Sequence, residues 1–547
     1  MFKKHPSGLP FLFLTEMWER FGYYLMIGIF VLYTSDQWRN GGLGMSRTEA
    51  IGLYGTYIAL AYLTPFIGGL IADRVLGFRR SIILGGTMMG VGYLMMAIPH
   101  NVQTFYVALG VTIVGNGFFK PNISTLLGNL YNEDQYRLKK DDGYNIFYMG
   151  INLGALICNF VAAYLRNTFG WSWAFVAAGV GMLIGVVIFV AGSRHYKHAD
   201  VRQKGNANDS GVTQMLSSVL LPAALVGWAA WNIPGTIFGS DMTDAFIFGC
   251  IPIIGFYLWI LRTANAEEKP RIKVLLAIYA VVIIFWAIFK QNGTALTIWA
   301  ENYTDRSMPA WMETPARFMG MVKEIKVEQD TFLLYDHQFR TTKGADGKLV
   351  ETVSLPPYFK NLPPEQHPPE GESVKLVSTE IFQSVNPFFV VALTPLIVLF
   401  FAWLRRRGKE PTTPGKIGWG LVISALSTLV TIWAVAVCHN GAEKASVWWL
   451  VGTYAVITVG ELCLSPMGLS MVSKMAPPRI AGLMMGGWQL ATSIGNKLSG
   501  VLAAMWDRYD NKADFFWVNF VLLSVAALIL FSMMRWLNRV FREKGLT

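Results

Sequence analysis

The sequence predicts an all-α, polytopic membrane protein, and three observations carry that prediction. Of 547 residues, 53% are hydrophobic and only 15% are charged, against about 25% charged in an ordinary soluble domain. The length would suit three soluble domains, but too few charges remain to coat them. The apolar residues gather into runs of about 20, the length an α-helix needs to cross a bilayer. The excess of 46 basic over 35 acidic residues, a net charge of +11, sits in short loops between those runs. That distribution sets orientation in multi-pass membrane proteins and does not describe a nucleic-acid surface. The same apolar content excludes disorder and collagen. Cys158, Cys250, Cys438 and Cys463 lie scattered in apolar runs, with neither metal nor disulfide spacing.

Taken in order, the runs fall at residues 11–33, 50–72, 81–98, 105–127, 143–165 and 173–192, then 213–231 and 245–261. Six more follow at 274–298, 381–404, 417–438, 447–471, 482–504 and 515–536, fourteen in all. The first is too long for a cleavable signal and has no small-residue cleavage site. Every second loop is basic. Arg74, Arg79 and Arg80 follow the second run, Arg137, Lys139 and Lys140 the fourth, and Arg194, Lys197, Arg202 and Lys204 the sixth. Lys269, Arg271 and Lys273 follow the eighth, Arg405, Arg406, Arg407 and Lys409 the tenth, and Lys474 and Arg479 the twelfth. Both termini (Lys3, Lys4; Arg535, Arg539, Arg542, Lys544) share that side. An even count with both ends cytoplasmic follows, in a plasma membrane of the bacterial inner-membrane kind.

One loop departs from this pattern. Residues 303–379 hold eleven acidic and nine basic residues and 8 of the 24 prolines. Within them, 330–353 reads as two short strands around Lys343-Gly344-Ala345-Asp346-Gly347. Topology puts this insert outside the membrane, either as an ordered cap or as a binding element. The expected organisation is therefore a six-helix bundle in 1–195, then a linker and two extra helices in 196–268. The first helix of a second bundle lies in 269–302, the insert in 303–379, and the rest of that bundle in 380–547.

The segment Gly69-Leu-Ile-Ala-Asp73-Arg74-Val-Leu-Gly77-Phe-Arg79-Arg80 closes the second run. Asp73 and Arg74 suit a contact that clips neighbouring helices in one state of a rocking protein, and the segment resembles the loop signature of the major facilitator superfamily.

Charges inside the runs are costly, so each is a functional candidate. Helical spacing puts Glu16, Arg20 and Tyr24 on one stripe, with Glu19 and Tyr23 beside it. Such a stripe must face water or protein. Lys120 precedes Pro121 and Asn122 in the fourth run, Asn152 lies in the fifth, Lys290 precedes Gln291 and Asn292 in the ninth, and Glu461 lies in the twelfth. Three acids (Glu16, Glu19, Glu461) balance three bases (Arg20, Lys120, Lys290). A carboxylate beside Lys120 is a candidate proton carrier, because protonation would release the lysine and loosen a helix contact. Static interhelical pairing is the structural alternative. Tyr23, Tyr24, Tyr62, Trp286 and Trp488 can line a pocket or serve as packing. A cavity with Lys120 in one half and Glu461 in the other suits a zwitterion, a small peptide or an amino acid, better than a sugar.

With those residues in view, the chain resembles the proton-dependent oligopeptide transporter family. Glu16-x-x-Glu19-Arg20-Phe21-x-Tyr23-Tyr24 looks like its first-helix motif, Gly117-Phe-Phe-Lys120-Pro121-Asn122-Ile-Ser124 its fourth, and Phe147-Tyr148-Met-Gly-Ile-Asn152-Leu-Gly154 its fifth. Phe285-Trp286-Ala287 with Gln291, Phe382-Gln-Ser-Val-Asn386-Pro387 and Gly460-Glu461-x4-Pro466-x-Gly468-Leu-Ser470 resemble its second-half helices. The resemblance implies a major facilitator fold of two six-helix bundles with two extra helices, and symport of di- and tripeptides with protons. It implies coupling at Glu16, Glu19, Arg20 and Lys120. Substrate contacts are implied at Tyr24, Tyr62, Lys120 and Asn152, at Asn386 and Glu461 for the amine, and at Trp286 and Trp488. Two positions depart from the family pattern. Many members carry Arg where this chain has Ile27 and an acid where it has Lys290, and the two often pair across the external gate. That pair cannot form here, and Lys290 is expected instead to face the cavity opposite Glu461 or a substrate carboxylate.

The expected partners are small peptides, protons and lipid, with no nucleic acid; the protein is expected to work as a monomer, driven by a proton gradient, without cofactor or metal. No nucleophile–base spacing or phosphate loop points to an enzyme. Two alternatives stand beside symport: a relative moving peptides or another zwitterionic or anionic solute with altered or absent coupling, and a peptide sensor using the insert.

Overall fold

The computed structural model describes residues 4–35, 38, 41–45, 47–99, 101–201, 216–238, 241–293, 295–318, 322–340, 342, 350–377, 379–503 and 505–544. A helix stands over each of the fourteen runs. In chain order these are α1 (Leu9–Ser35), α2 (Arg47–Ile71), α3 (Phe78–Met96), α4 (Val102–Leu130), α5 (Lys140–Phe169), α6 (Trp171–Ala191), α7 (Leu221–Trp231) and α8 (Asp241–Thr263). They continue as α9 (Lys269–Phe289), α10 (Phe382–Arg406), α11 (Thr413–Val437), α12 (Val447–Met475), α13 (Ala481–Ala503) and α14 (Lys512–Glu543). Among the described residues, nine of these helices are long and apolar enough to cross a membrane by themselves. The other five, α1, α2, α3, α7 and α13, are short or carry the glycines, charges and polar groups that need protein or water beside them. Residues 202–215 lie outside the described residues, and with them Arg202, Lys204 and the start of the seventh run.

Helices α1–α6 pack as one bundle and α9–α14 as a second, with α7 and α8 as a hairpin beside them. The hairpin sits on the seam: Phe256 and Tyr257 of α8 meet Phe66 of α2 edge-on, and the Tyr257 hydroxyl donates to the Leu483 carbonyl of α13 at 2.8 Å. The bundles meet along two seams, α2 with α13 and α5 with α10, and α12 lies across α4 and α5. Burial follows this arrangement: 83% of the most apolar stretch of α12 is covered by protein, against 17% for α10.

Both chain ends lie at one end of the bundles. Lys139 donates to the Lys4 carbonyl, and Thr412, which caps α11, donates to Asn538 of α14. At this terminal end the bundles are tied tightly. Asp141 at the start of α5 accepts from Lys416 of α11 (2.8 Å), Lys474 of α12 (2.6 Å) and Ser470 (2.5 Å), while Arg405 of α10 reaches Asp142 at 2.9 Å. The α2–α13 seam closes backbone to backbone: a Cβ at Gly69 would sit 2.3 Å from the Gly482 carbonyl oxygen.

The insert packs on the second bundle. It holds a helix (Ala310–Phe318) and two antiparallel ribbons, β1 (Val322–Lys326) with β4 (Ser373–Val377) and β2 (Asp330–Leu333) with β3 (Glu351–Ser354). The second ribbon stands where two strands are expected, and its turn at 343–347 lies outside the described residues. The first ribbon has no counterpart in the sequence reading, because β1 and β4 are 46 residues apart and their pairing is non-local. Asp305 donates its backbone N–H to Ala445, Asn361 donates to Asn302 and Gly441, and Arg340 pairs with Asp510 at 3.0 Å. The cap is thus fastened to the loops before α12 and α14.

Candidate functional site

One turn separates Glu16 from Arg20 on α1, and the helix points both inward. Glu16 and Glu19 are fully buried and Arg20 is 4% exposed. Arg20 grips Glu19 with two guanidinium nitrogens and lies 3.7 Å from Glu16. Its guanidinium also stands 4.5 Å over the Tyr23 ring and 5.9 Å from that of Tyr24. Lys120 reaches across from α4 and donates to Glu16 Oε1 at 2.7 Å. Pro121 does not interrupt α4, and its carbonyl accepts from Thr125 at 2.9 Å. The four charges sum to zero, which permits their burial. Glu16 Oε2 remains buried without a hydrogen-bond partner.

Glu461 of α12, 2% exposed, is held from both bundles. The Tyr148 hydroxyl of α5 donates to Oε1, and Asn386 of α10 donates to Oε2 at 2.8 Å and to Thr458 at 2.9 Å. Asn152 donates to the Tyr148 carbonyl one turn back, at 3.0 Å, placing the amide beside that link. Tyr24 and Tyr62 are half-buried. Farther along the α1 stripe Ile27 is partly exposed and Gly28 exposed, with Asn159 of α5 next to it. Tyr24, Tyr62 and Ile27 are thus partly exposed here, while the carboxylates that tie the bundles at the terminal end are buried. Trp286 lies buried in α9, and Trp488 of α13 is buried edge-on to Tyr279.

Lys290 stands where α9 ends and a 3-10 turn, Lys290–Gly293, begins before the short helix Ala295–Asn302. The expected run 274–298 is therefore broken, at the polar, glycine-bearing stretch Lys290-Gln291-Asn292-Gly293. The Lys290 amine lies 5.6 Å from the Trp286 ring centre and 6.0 Å from that of Phe289. The expected ion pair with Glu461 is not formed among the described residues; Tyr148 and Asn386 hold that carboxylate instead.

Asp73 lies in a π-helical turn, Ala72–Leu76, that continues α2. Its carboxylate accepts from the backbone N–H groups of Gly482 (3.0 Å) and Leu483 (2.9 Å). These are free donors at the N-terminus of α13, where a negative charge is favoured. Arg74 follows in the same turn.

Sequence reasoning did not single out Tyr148, Thr458 or the Asp141 cluster. Two acids opening a helix next to Lys139 and Lys140, on the basic side, were the available signal for the cluster. Tyr148 stood only as part of the fifth-helix motif, without a role of its own, since a tyrosine in an apolar run reads as packing.

The sequence model of the POT family matches residues 79–327 and 373–518, so the unmatched stretch 328–372 falls within the insert. The chain is 28% identical to a di-/tripeptide transporter of Lactococcus lactis, over 96% of this chain and 94% of that one. It is 28% identical to the dipeptide and tripeptide permease A of Escherichia coli, over 93% and 86%. Among solved structures it is similar to a mutant peptide transporter POT in complex with alafosfalin, with a TM-score of 0.62, 27% identity, and coverage of 99% of this chain and 96% of that one.

Proposed function

The chain belongs to the POT family of multi-pass membrane transporters with the major facilitator fold, and from that premise we propose that it imports di- and tripeptides by proton symport. The relatives are transporters of dipeptides and tripeptides, not enzymes. The observation that carries the reading is the pair of opposed charge sites in one cavity: the Lys120–Glu16 pair on the first bundle and Glu461 on the second. A peptide carboxylate takes Lys120, and its amine takes Glu461 and Asn386. Tyr24, Tyr62 and Asn152 face its backbone from one side, and Trp286 and Trp488 shape the other. The bare Glu16 Oε2 suits a proton, because a buried carboxylate oxygen without a donor is costly. A proton there cancels the charge that holds Lys120 and frees the amine for the peptide. Arg20 and Glu19 keep that exchange out of contact with lipid.

In this reading the terminal end, with its basic loops, is cytoplasmic and the insert is external. Asp73 and Asp141 then hold the cytoplasmic side shut. A second reading, peptide movement with altered coupling, is favoured by Lys290 and Ile27, which remove the acid and the arginine common at those positions.

Purified protein in liposomes separates the two. Labelled dialanine accumulates under an inward proton gradient if symport holds, and Glu16→Gln reduces that uptake to the rate seen without a gradient. Equilibration that ignores the gradient in the unmodified protein sets symport aside and keeps peptide transport.

A further inference from the structure

We propose that a cavity between the bundles at the terminal end is a control site for a free amino acid, which binds there and keeps that end closed. The cavity holds about 500 Å³, within the range of small-molecule sites. Both bundles line it. The first contributes Glu133 and His198 from its loops, and the second contributes Arg271 of α9 and Lys474 of α12. None of the residues placed around the peptide lies on its wall.

Arg271 is the group that asks for a ligand. Its Nε–H is buried without an acceptor among the described residues. Its outer amine stands 3.7 Å from Glu267, an exposed residue four positions back, and an exposed pair at that distance holds little. A buried donor left bare is costly unless something fills it. A guanidinium presents neighbouring N–H groups to the two oxygens of one carboxylate. Lys474, the other cation on the wall, is already engaged by Asp141 and Thr413.

The opposite charge comes from the other bundle. Glu133 pairs with His198 at 3.2 Å and accepts from Gln135 at 2.9 Å. A carboxylate has about four acceptor sites, so room remains for an ammonium. Phe78, Ala199 and Met485 give the cavity an apolar wall. A carboxylate for Arg271, an ammonium for Glu133 and an apolar side chain between them describe an amino acid such as leucine. Such a ligand ties α9 to the loop between α4 and α5. The wall also reaches Ala481, next to the Gly482 N–H that Asp73 holds. Parting the bundles there tears the ligand from one of its two charges, so it binds the closed end in preference and shifts the population toward it. Hydrolysis of imported peptides by water yields free amino acids, so the site throttles uptake by its own product. That last step rests on the peptide reading above; the site does not.

The test begins with equilibrium binding of labelled leucine to the full chain in nanodiscs. Leucine should bind, and isocaproate and isoamylamine, which each lack one of its charges, should bind about tenfold more weakly. Arg271→Gln should weaken leucine by about tenfold, the value of one charge-assisted hydrogen bond. Arg271→Lys, which keeps the charge and lacks the Nε donor, should recover part of that loss. Glu133→Gln should weaken leucine and leave isocaproate unchanged. In liposomes, leucine on both faces should slow labelled dialanine uptake, and Arg271→Gln should remove the slowing. No leucine binding by protein with an intact melting transition, or binding that survives Arg271→Gln, overturns the control site. Binding that Glu461→Gln abolishes and Arg271→Gln leaves intact puts leucine in the substrate cavity and overturns it too. Failure of dialanine uptake without leucine strikes the peptide reading, and the binding result then judges the site alone.

Discussion

A single hydroxyl joins the two halves of the substrate cavity. Tyr148 on α5 donates to Glu461 on α12, so the carboxylate that receives a peptide amine in this account also reports to the other bundle. Hydrogen bonds to charged groups contribute about 1.5–3 kcal/mol. Tyr148→Phe keeps the ring and its packing while removing that link, and should lower dipeptide uptake by about tenfold at unchanged melting temperature. Uptake at the unmodified rate would show that the link is incidental. The same residue marks the limit of sequence reasoning. Glu16, Glu19, Arg20, Lys120 and Glu461 stand out because a charge in an apolar run demands a partner or water. Tyr148, Thr458 and the broken end of α9 do not, since their roles come from what faces them and only the fold supplies that.

Helix ends do the holding at the next scale. Asp73 sits on the bare N–H groups of α13, and Asp141 binds two lysines of the opposite bundle in near-complete burial. Removing one partner from a buried ion cluster costs about 3–5 kcal/mol. Asp141→Asn leaves Lys416 and Lys474 without their shared acid, and should weaken the closed terminal end relative to the state in which the bundles part there. Double electron–electron resonance between spin labels on Arg137 and Arg479 should show a longer-distance population in that variant; an unchanged distribution would contradict the role. The insert has its own electrical signature. Lys444, which docks against Tyr358 at 4.1 Å and donates to the Asn302 carbonyl, is pushed down to about 7, first by burial and then by Arg306. The folded chain thus binds fewer protons than the unfolded chain between pH 7 and the ordinary lysine range near 10.5. Stability should therefore rise with pH across that window. Melting curves from pH 7 to 10 should show the rise and Lys444→Met should flatten it; a slope that persists in the variant would assign it elsewhere.

Across the whole molecule, buried charges tie the two bundles together at the terminal end. Most of this frame was legible beforehand, because helix length, apolar runs and basic loops are dictated by the bilayer and act locally along the chain. The seam contacts were not, because a glycine at 69 or 482 and an aspartate at 141 acquire meaning only when residues hundreds of positions apart meet. The β1–β4 ribbon escaped for the same reason. Two bundles, the first with the Lys120–Glu16 pair and the second with Glu461, form a device that must link proton and peptide if it is to accumulate its substrate. The most direct measurement follows the proton itself. Liposomes carrying the protein and a trapped pH dye, with no gradient imposed, receive external dialanine. The account predicts that the lumen acidifies as the peptide enters, and that Glu16→Gln abolishes the acidification. Peptide entering while luminal pH stays constant would contradict it.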